Sequence, residues 1–403
     1  MVTSSGVAGP ALAPETPLAG LRVVELGDDL VAYCGRLLAS LGADVVLVEP
    51  PPGCDRRRSA EHVGGACAAA FAWFHTGKRS VVIDVEGELG RERFRALVAS
   101  ADVLLDGGPP DRLSRWSCSG DELRTRNPRL VVASVTPFGR CGPYSEYRWA
   151  ESVLFAMGGM MNLAGNPGEP PVTAPGAQAT VVGGAQAAFG ILVALKVAEE
   201  TGRGQDVEVS VQEAFAAQEN VVSSFSGDGW RGERTGSQHR VAVPGRIYPC
   251  VDGFVHLFVS PVQRGAWDRL LEWMGSSAGV LRDPSWAVPR YRRANVEQVD
   301  EVVAAWTRGW RKAELYEEAQ RRHIPCAPVN TMLDYASDPQ VISRDFFFQA
   351  VGGDYRYAAP VLVADGRRRG AEHAAPRLDD GCPLQGNEDR WWAGPPVDVA
   401  SEG

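Results

Sequence analysis

Between Leu21 and Val135 short apolar runs alternate with longer amphipathic ones, and this alternation restricts the fold more than any other feature of the chain. Leu21–Leu26 (LRVVEL) reads as a buried strand, and Tyr33–Leu41 as a helix stopped at Gly42. Asp44–Glu49 is a second strand, closed by Pro50, Pro51 and Pro52. Ser80–Asp84 is a third strand, followed by a helix over Gly90–Ser100; Asp102–Asp106 and Leu130–Val135 are the fourth and fifth. Antiparallel strands can be joined by a tight turn, but parallel strands need a crossover, which a helix supplies. Strands separated by helical stretches therefore predict βαβ units and a parallel sheet. The fold class is α/β, with a Rossmann-like first domain.

Beyond this region the pattern continues, then changes. A long helix over Gly184–Glu200 ends at Thr201-Gly202-Arg203-Gly204, a strand follows at Asp206–Val211, and another helix starts near Gln212. Residues 226–240 are polar and Gly-rich and read as a linker. A hairpin follows, Arg246–Cys250 and Phe254–Val259 about a Val251-Asp252-Gly253 turn, with helices near 263–275, 296–309 and 311–322. This is a small α+β domain. Cys326–Met332 reads as a return to the first domain, with strands at Phe346–Val351 and Tyr355–Val363. The expected organisation is a flexible tail (1–17), a large domain (18–225), a small domain with its linker (226–325), a return to the large domain (326–380) and a C-terminal tail (381–403).

Several function classes are excluded on chemistry. The first turn, Gly27-Asp-Asp-Leu-Val-Ala-Tyr-Cys-Gly35, lacks the G-x-G-x-x-G spacing that lets backbone approach a pyrophosphate, and it sets Asp28 and Asp29 beside the phosphates. NAD and FAD are therefore disfavoured, and no P-loop motif supports ATP. A formal net charge of -9 argues against nucleic acid. The eight cysteines and six histidines are scattered without metal-ligand spacing, so no metal site and no tightly bound cofactor are expected. Residues 1–17 lack the basic start and apolar stretch of a secretory signal, and the most apolar region, 181–198, contains Gln186 and Lys196 and reads as a buried helix. A cytoplasmic protein without a membrane span is expected.

A series of motifs carries a resemblance. In order they are Pro17-Leu-Ala-Gly-Leu-Arg-Val-Val-Glu25, Leu41-Gly-Ala-Asp-Val-Val-Leu-Val-Glu-Pro50 with Gly53-Cys-Asp55, and Gly77-Lys-Arg-Ser80 running into Ile83-Asp84. Asn127-Pro-Arg-Leu130, Gly139-Arg-Cys-Gly-Pro-Tyr144, Ala156-Met-Gly-Gly-Met-Met161 and Thr201-Gly-Arg-Gly-Gln-Asp-Val207 follow, then Ile324-Pro-Cys-Ala-Pro-Val-Asn330 and Asp338-Pro-Gln340. Each is weak alone, but their order over residues 17–363 resembles the family III CoA-transferases. That group includes formyl-CoA transferase, carnitine CoA-transferase and α-methylacyl-CoA racemase. The resemblance implies a large Rossmann-like domain built from both chain ends, a small central domain and a dimer whose subunits interlock. It implies acyl-CoA and a small carboxylic acid as substrates, with coenzyme A as part of the substrate.

The resemblance also assigns residues. Lys78, Arg79, Arg112 and Arg148 fall in or beside stretches that contact CoA in the family. Arginine suits phosphate because its planar fork donates two parallel hydrogen bonds. After the fourth strand the family carries Asn-Phe followed by Arg-Pro-Gly; here stands Asp106-Gly107-Gly108-Pro109-Pro110, with neither an aromatic nor a basic side chain. The family's nucleophilic aspartate attacks the thioester and forms a mixed anhydride, then an enzyme–CoA thioester. Counting back from the Gly190-Ile-Leu-Val-Ala-Leu195 helix places Thr180 at that position. A threonine hydroxyl is protonated at neutral pH and needs a base. Ala150 stands where the racemase histidine falls, and Glu151 is the adjacent acid. The ordinary role of Glu151 is that of a helix-start carboxylate. The candidate catalytic residues are thus Thr180 and Glu151 of a homodimer; the alternatives are a non-catalytic subunit paired with a homologue that carries the aspartate, or a remodelled enzyme doing different chemistry on a thioester.

Overall fold

The computed structural model describes residues 16–63, 65–218, 232–239 and 241–349, the stretches 356–359, 361–364, 367–368 and 374–380, and Trp392. The chain divides into two units, one of Met1–Met160, Ala174–Gly227 and Ile342–Gly403, the other of Met161–Thr173 and Asp228–Val341.

The first unit is built on a sheet of β1 (Arg22–Leu26), β2 (Asp44–Glu49), β3 (Arg79–Val82), β4 (Val103–Asp106), β5 (Val131–Thr136) and β6 (Asp206–Ser210). Its order is β3-β2-β1-β4-β5-β6 and every neighbouring pair is parallel. β1, β2, β4 and β5 are buried along nearly their whole length, because a parallel sheet is covered on both faces, whereas the edge strand β6 alternates. Among the described residues the unit's helices of six residues or more are α1 (Asp29–Ser40), α2 (Asp55–Val63), α3 (Gly65–His75), α4 (Glu88–Ala99), α5 (Glu151–Met157), α6 (Gln178–Thr201) and α7 (Val211–Ala216). Val24, Val46, Val48, Leu104 and Val132 face one way and pack with Phe94, Leu97 and Val98 of α4. Each such side chain contributes about 1.5–3 kcal/mol on burial. Val23, Glu25, Val45 and Leu47 alternate to the other face, which α1 covers together with α6.

Two glycines let α6 approach its neighbours. A Cβ on Gly183 would lie 2.8 Å from Val211 Cγ2, and one on Gly184 would lie 3.0 Å from the backbone nitrogen of Cys34 in α1. α6 begins at Gln178, ahead of the expected Gly184, and ends on Gly202 with φ 72°, a left-handed stop that glycine adopts freely. It is long and apolar enough to cross a membrane by length and composition. Ala179, Thr180, Ala187, Ile191 and Ala194 bury one side of it within the unit.

In the second unit β7 (Gly245–Cys250) and β8 (Gly253–Phe258) form the expected antiparallel hairpin. The helices α8 (Ala266–Met274), α9 (Val296–Thr307) and α10 (Lys312–Arg321) pack on it through Trp267, Leu270, Val299, Val303 and Leu315 against Tyr248, Val255 and Leu257. β9 (Cys326–Pro328) pairs antiparallel with β8 as a third strand of this sheet. The return to the first unit, expected at 326, therefore falls at Ile342. Beyond it β10 (Phe347–Gln349) and β11 (Arg356–Ala358) pair with each other as a separate antiparallel ribbon. Of the expected linker, residues 226–231 and 240 lie outside the described residues, as do the tails apart from Thr16, Pro17 and Trp392.

Candidate active site

A helix begins with backbone N–H groups that have no partner inside it. At α6 the preceding residue is Ala177, which has no side-chain acceptor to offer. The acceptor comes from another helix. Glu151, the first residue of α5, directs its carboxylate at the head of α6 and accepts the backbone N–H of Ala179, the N–H of Thr180 at 3.3 Å and the Thr180 hydroxyl at 2.6 Å. This tertiary cap is why α6 extends back to Gln178. The two candidate catalytic residues therefore meet, although 29 positions separate them. Thr180 is buried, whereas Glu151 is partly exposed. A carboxylate at a helix N-terminus is favoured both by the N–H donors and by the helix dipole.

This arrangement admits two chemistries. Glu151 is a partly exposed acid, the kind of group that can attack a thioester carbonyl. It is also placed to accept the Thr180 proton, which would make the threonine hydroxyl the nucleophile. The N–H groups of Ala179 and Thr180 and the hydroxyl of Thr180 are donors oriented toward charge on that carboxylate.

The cations assigned by sequence have separate surroundings. Lys78 is wholly buried; its Nζ donates to Glu25 Oε1 at 2.7 Å and to the Ala32 carbonyl at 2.9 Å, and it lies 3.3 Å from His75 Nδ1. Gly35 makes room for this cluster, since a Cβ there would lie 1.6 Å from Glu25 Oε2. Burial pushes Glu25 up to about 7, against the pull of Lys78, and burial pulls Lys78 down. Arg79 pairs with Asp44 through two bonds of 2.9 and 2.8 Å. Arg112 is held between Asp28 and Asp106. Arg148 is exposed. Lys78 thus belongs to the core, Arg79 and Arg112 are ion-paired, and Arg148 is open to solvent.

Two pairings escape a sequence reading. Arg140 donates from its guanidinium to Ser134 Oγ at 3.3 Å and to the Pro110 carbonyl at 3.2 Å, both neutral groups, near the carboxyl end of β5. Its only signal was membership of the Gly139–Tyr144 motif. Asp28 is the other: it read as a charge unfavourable to phosphate, and the structure makes it a partner of Arg112. Among the described residues no His, Cys, Asp or Glu cluster is suited to a metal ion. Burial pushes the Cys54 and Cys326 thiols up to about 12 and Cys34 higher still, away from the reactive thiolate.

The family described as CoA-transferase family III matches residues 18–381. The chain is 34% identical over 356 residues to the BbsE subunit of succinyl-CoA:(R)-benzylsuccinate CoA-transferase from Thauera aromatica, covering 83% of this chain and 85% of that one. It is 31% identical to a formyl-CoA:oxalate CoA-transferase from Streptomyces avermitilis, covering 81% and 84% respectively. A crystal structure of a CAIB/BAIF family protein from Brucella suis superposes with a TM-score of 0.82 at 28% identity, over 91% of this chain and 97% of that one.

Proposed function

Because the chain belongs to CoA-transferase family III, we propose that it moves CoA between carboxylic acids and that Glu151 is its nucleophile. The observation that carries this is the Glu151 carboxylate at the head of α6, 2.6 Å from the hydroxyl of Thr180. It supports the reading because a carboxylate from a neighbouring helix lies beside Thr180, the residue that the resemblance counts to the aspartate position.

Glu151 attacks the acyl carbonyl carbon of the thioester, the C–S bond breaks, and CoA leaves as thiolate from a mixed anhydride. The thiolate then attacks the glutamyl carbonyl, releasing the first carboxylate and leaving a glutamyl–CoA thioester. The acceptor carboxylate attacks that thioester and expels CoA thiolate, forming a second anhydride. The thiolate attacks the acceptor's carbonyl, giving the new acyl-CoA and free Glu151. Threonine is the weaker choice of nucleophile, because the ester it forms transfers acyl groups poorly to a carboxylate. Thr180 instead holds Glu151 and donates to the oxyanion that develops on the glutamyl carbonyl when thiolate or the acceptor carboxylate attacks it.

The relatives named for succinyl-CoA make that thioester the donor to assay, with small dicarboxylic acids as acceptors. CoA thioester chemistry fits a cytoplasmic protein. The outer side of α6 exposes Phe189, Leu192, Val193 and Val197. A helix apolar on both sides is suited to burial in an assembly, which supports a dimer. A second reading has its own support: the resemblance counts Thr180 to the aspartate position, and relatives include named subunits of CoA-transferases. In that reading the chain is the non-catalytic partner of a homologue bearing the aspartate.

Native mass spectrometry of the purified chain with succinyl-CoA separates the two. The nucleophile reading expects turnover by the chain alone and a hydroxylamine-sensitive adduct on Glu151, absent from Glu151→Gln. Turnover that persists in Glu151→Gln rules it out. No turnover alone, restored by a co-expressed homologue, establishes the subunit reading.

A further inference from the structure

In an open parallel sheet, ligands bind in the crevice beyond the carboxyl ends of the strands. A ligand with phosphates needs cations there that are not already committed to a carboxylate. Just beyond β2 and β4 the arginines are matched: Arg56 by Asp29, Arg57 by Glu49, and Arg112 by Asp28 and Asp106. Lys78 and Arg79 are held by Glu25 and Asp44. Arg140 is not matched in this way. It lies in the loop that leads from β5 to Glu151, and its guanidinium bridges two neighbouring strand ends. Nη1 donates to Ser134 Oγ in β5 at 3.3 Å, and Nη2 donates to the Pro110 carbonyl beyond β4 at 3.2 Å. Both acceptors are neutral, and the guanidinium has no ion-pair partner among the described residues.

The loop is fixed by its own backbone. Glu208 Oε1 accepts the backbone N–H of Arg140 at 2.5 Å, and Thr136 Oγ1 accepts that of Gly139 at 3.0 Å. Gly139 and Gly142 have φ of 92° and 100°, values that glycine adopts freely. The guanidinium is therefore positioned before a ligand arrives, which lowers the cost of binding. Arg140 is also half-buried, where salt screens a charge less than on open surface. On the same loop the exposed rings of Tyr144 and Tyr147 have centroids 4.9 Å apart. Aromatic side chains of this kind are surfaces on which a base can stack. Arg148, next in the chain, is open to solvent.

Resting on the CoA-transferase reading, we propose that Arg140 binds phosphate at the nucleotide end of CoA and that the Tyr144–Tyr147 pair receives its adenine. Phosphate recognition then sits on the loop between β5 and Glu151, and not on Lys78, Arg79 and Arg112, which carboxylates hold.

The test is calorimetric binding of CoA and of pantetheine to the intact protein, together with turnover of their succinyl thioesters. The parent should prefer CoA by about tenfold or more. In Arg140→Gln the KM for succinyl-CoA should rise about tenfold with kcat little changed, as expected for a contact made equally before and in the transition state. The pantetheine thioester should not respond. Arg140→Lys keeps the charge and should recover part of the loss, and Tyr147→Ala should lower CoA affinity about fivefold. Where the chain binds CoA without turnover, the same ratios are read from the affinities. Added salt should weaken CoA binding and spare pantetheine in the parent, a check that holds even if Arg140→Gln does not fold. An unchanged CoA preference in folded Arg140→Gln overturns the proposal, as does a loss shared equally by both thioesters, which marks a structural role. A parent with no preference, or one that salt does not touch, also overturns it; turnover of succinyl-CoA would still leave the transferase reading standing. An unchanged ratio in Tyr147→Ala removes the adenine surface. Binding and turnover of neither ligand removes the transferase reading and the proposal with it.

Discussion

Glu25 and Glu151 are carboxylates of the same unit treated in opposite ways. Glu25 is fully buried 2.7 Å from Lys78, and its Oε2 has no hydrogen-bond partner. Glu151 is partly exposed and is held by N–H and O–H donors, with no ion-pair partner among the described residues. A carboxylate matched to a buried ammonium is neutralised and serves the core. Glu151 instead lies where solvent and a substrate can reach it, as the proposed nucleophile must.

The sharpest way to break this contrast is Glu151→Gln. Glutamine keeps an acceptor for the head of α6 but is not a nucleophile, so kcat should fall on the order of 10⁴-fold while the thermal midpoint moves by only a few degrees. A kcat within tenfold of the parent would reduce Glu151 to a helix cap. Next in size is Lys78→Met, which strands Glu25 in the core. Urea unfolding should show a loss of about 3–5 kcal/mol, mostly recovered in Lys78→Met/Glu25→Leu; a loss under 1 kcal/mol would mean that the pair is not structural.

Thr180→Val removes the hydroxyl at nearly constant volume. Steady-state kinetics should show kcat down about tenfold with KM little changed, and Thr180→Ser should restore it. Complete inactivation by Thr180→Val would instead make threonine the nucleophile.

The smallest effect is a pH slope. Burial first, then Lys78, Arg56 and Arg57, hold His75 well below its usual range. The folded state therefore binds this proton less readily than the unfolded chain, whose histidine titrates near 6.5. The contribution of neutral His75 is present above that pH and is lost as pH falls below it. Thermal unfolding of His75→Asn should show a shallower acid-side decline than the parent, and an identical decline would remove His75 from the account.

Much of the fold was legible because periodicity is local. The strands at Arg22, Asp44, Val103 and Val131 lie close to where the apolar runs placed them. Less legible was every boundary set by a distant partner. β9 joins the small unit because Cys326–Pro328 finds β8, and no apolar pattern distinguishes that from a return to the first sheet. The site divides in the same way. Thr180 and Glu151 were recognisable as candidates, but their hydrogen bond was not. Lys78 and Arg112 were recognisable as cations, but not as cations already matched by carboxylates.

By itself the sequence determined the parallel α/β architecture, the small hairpin-based unit and the family, because hydrophobic period and motif order are properties of consecutive residues. Only the tertiary structure decided which charges are free. Arg112 meets Asp28 across 84 positions, and Glu151 caps α6 across 29. Those pairings depend on how strands and helices from separate crossovers come to lie side by side. The strength of each charge depends in turn on the water that this packing removes.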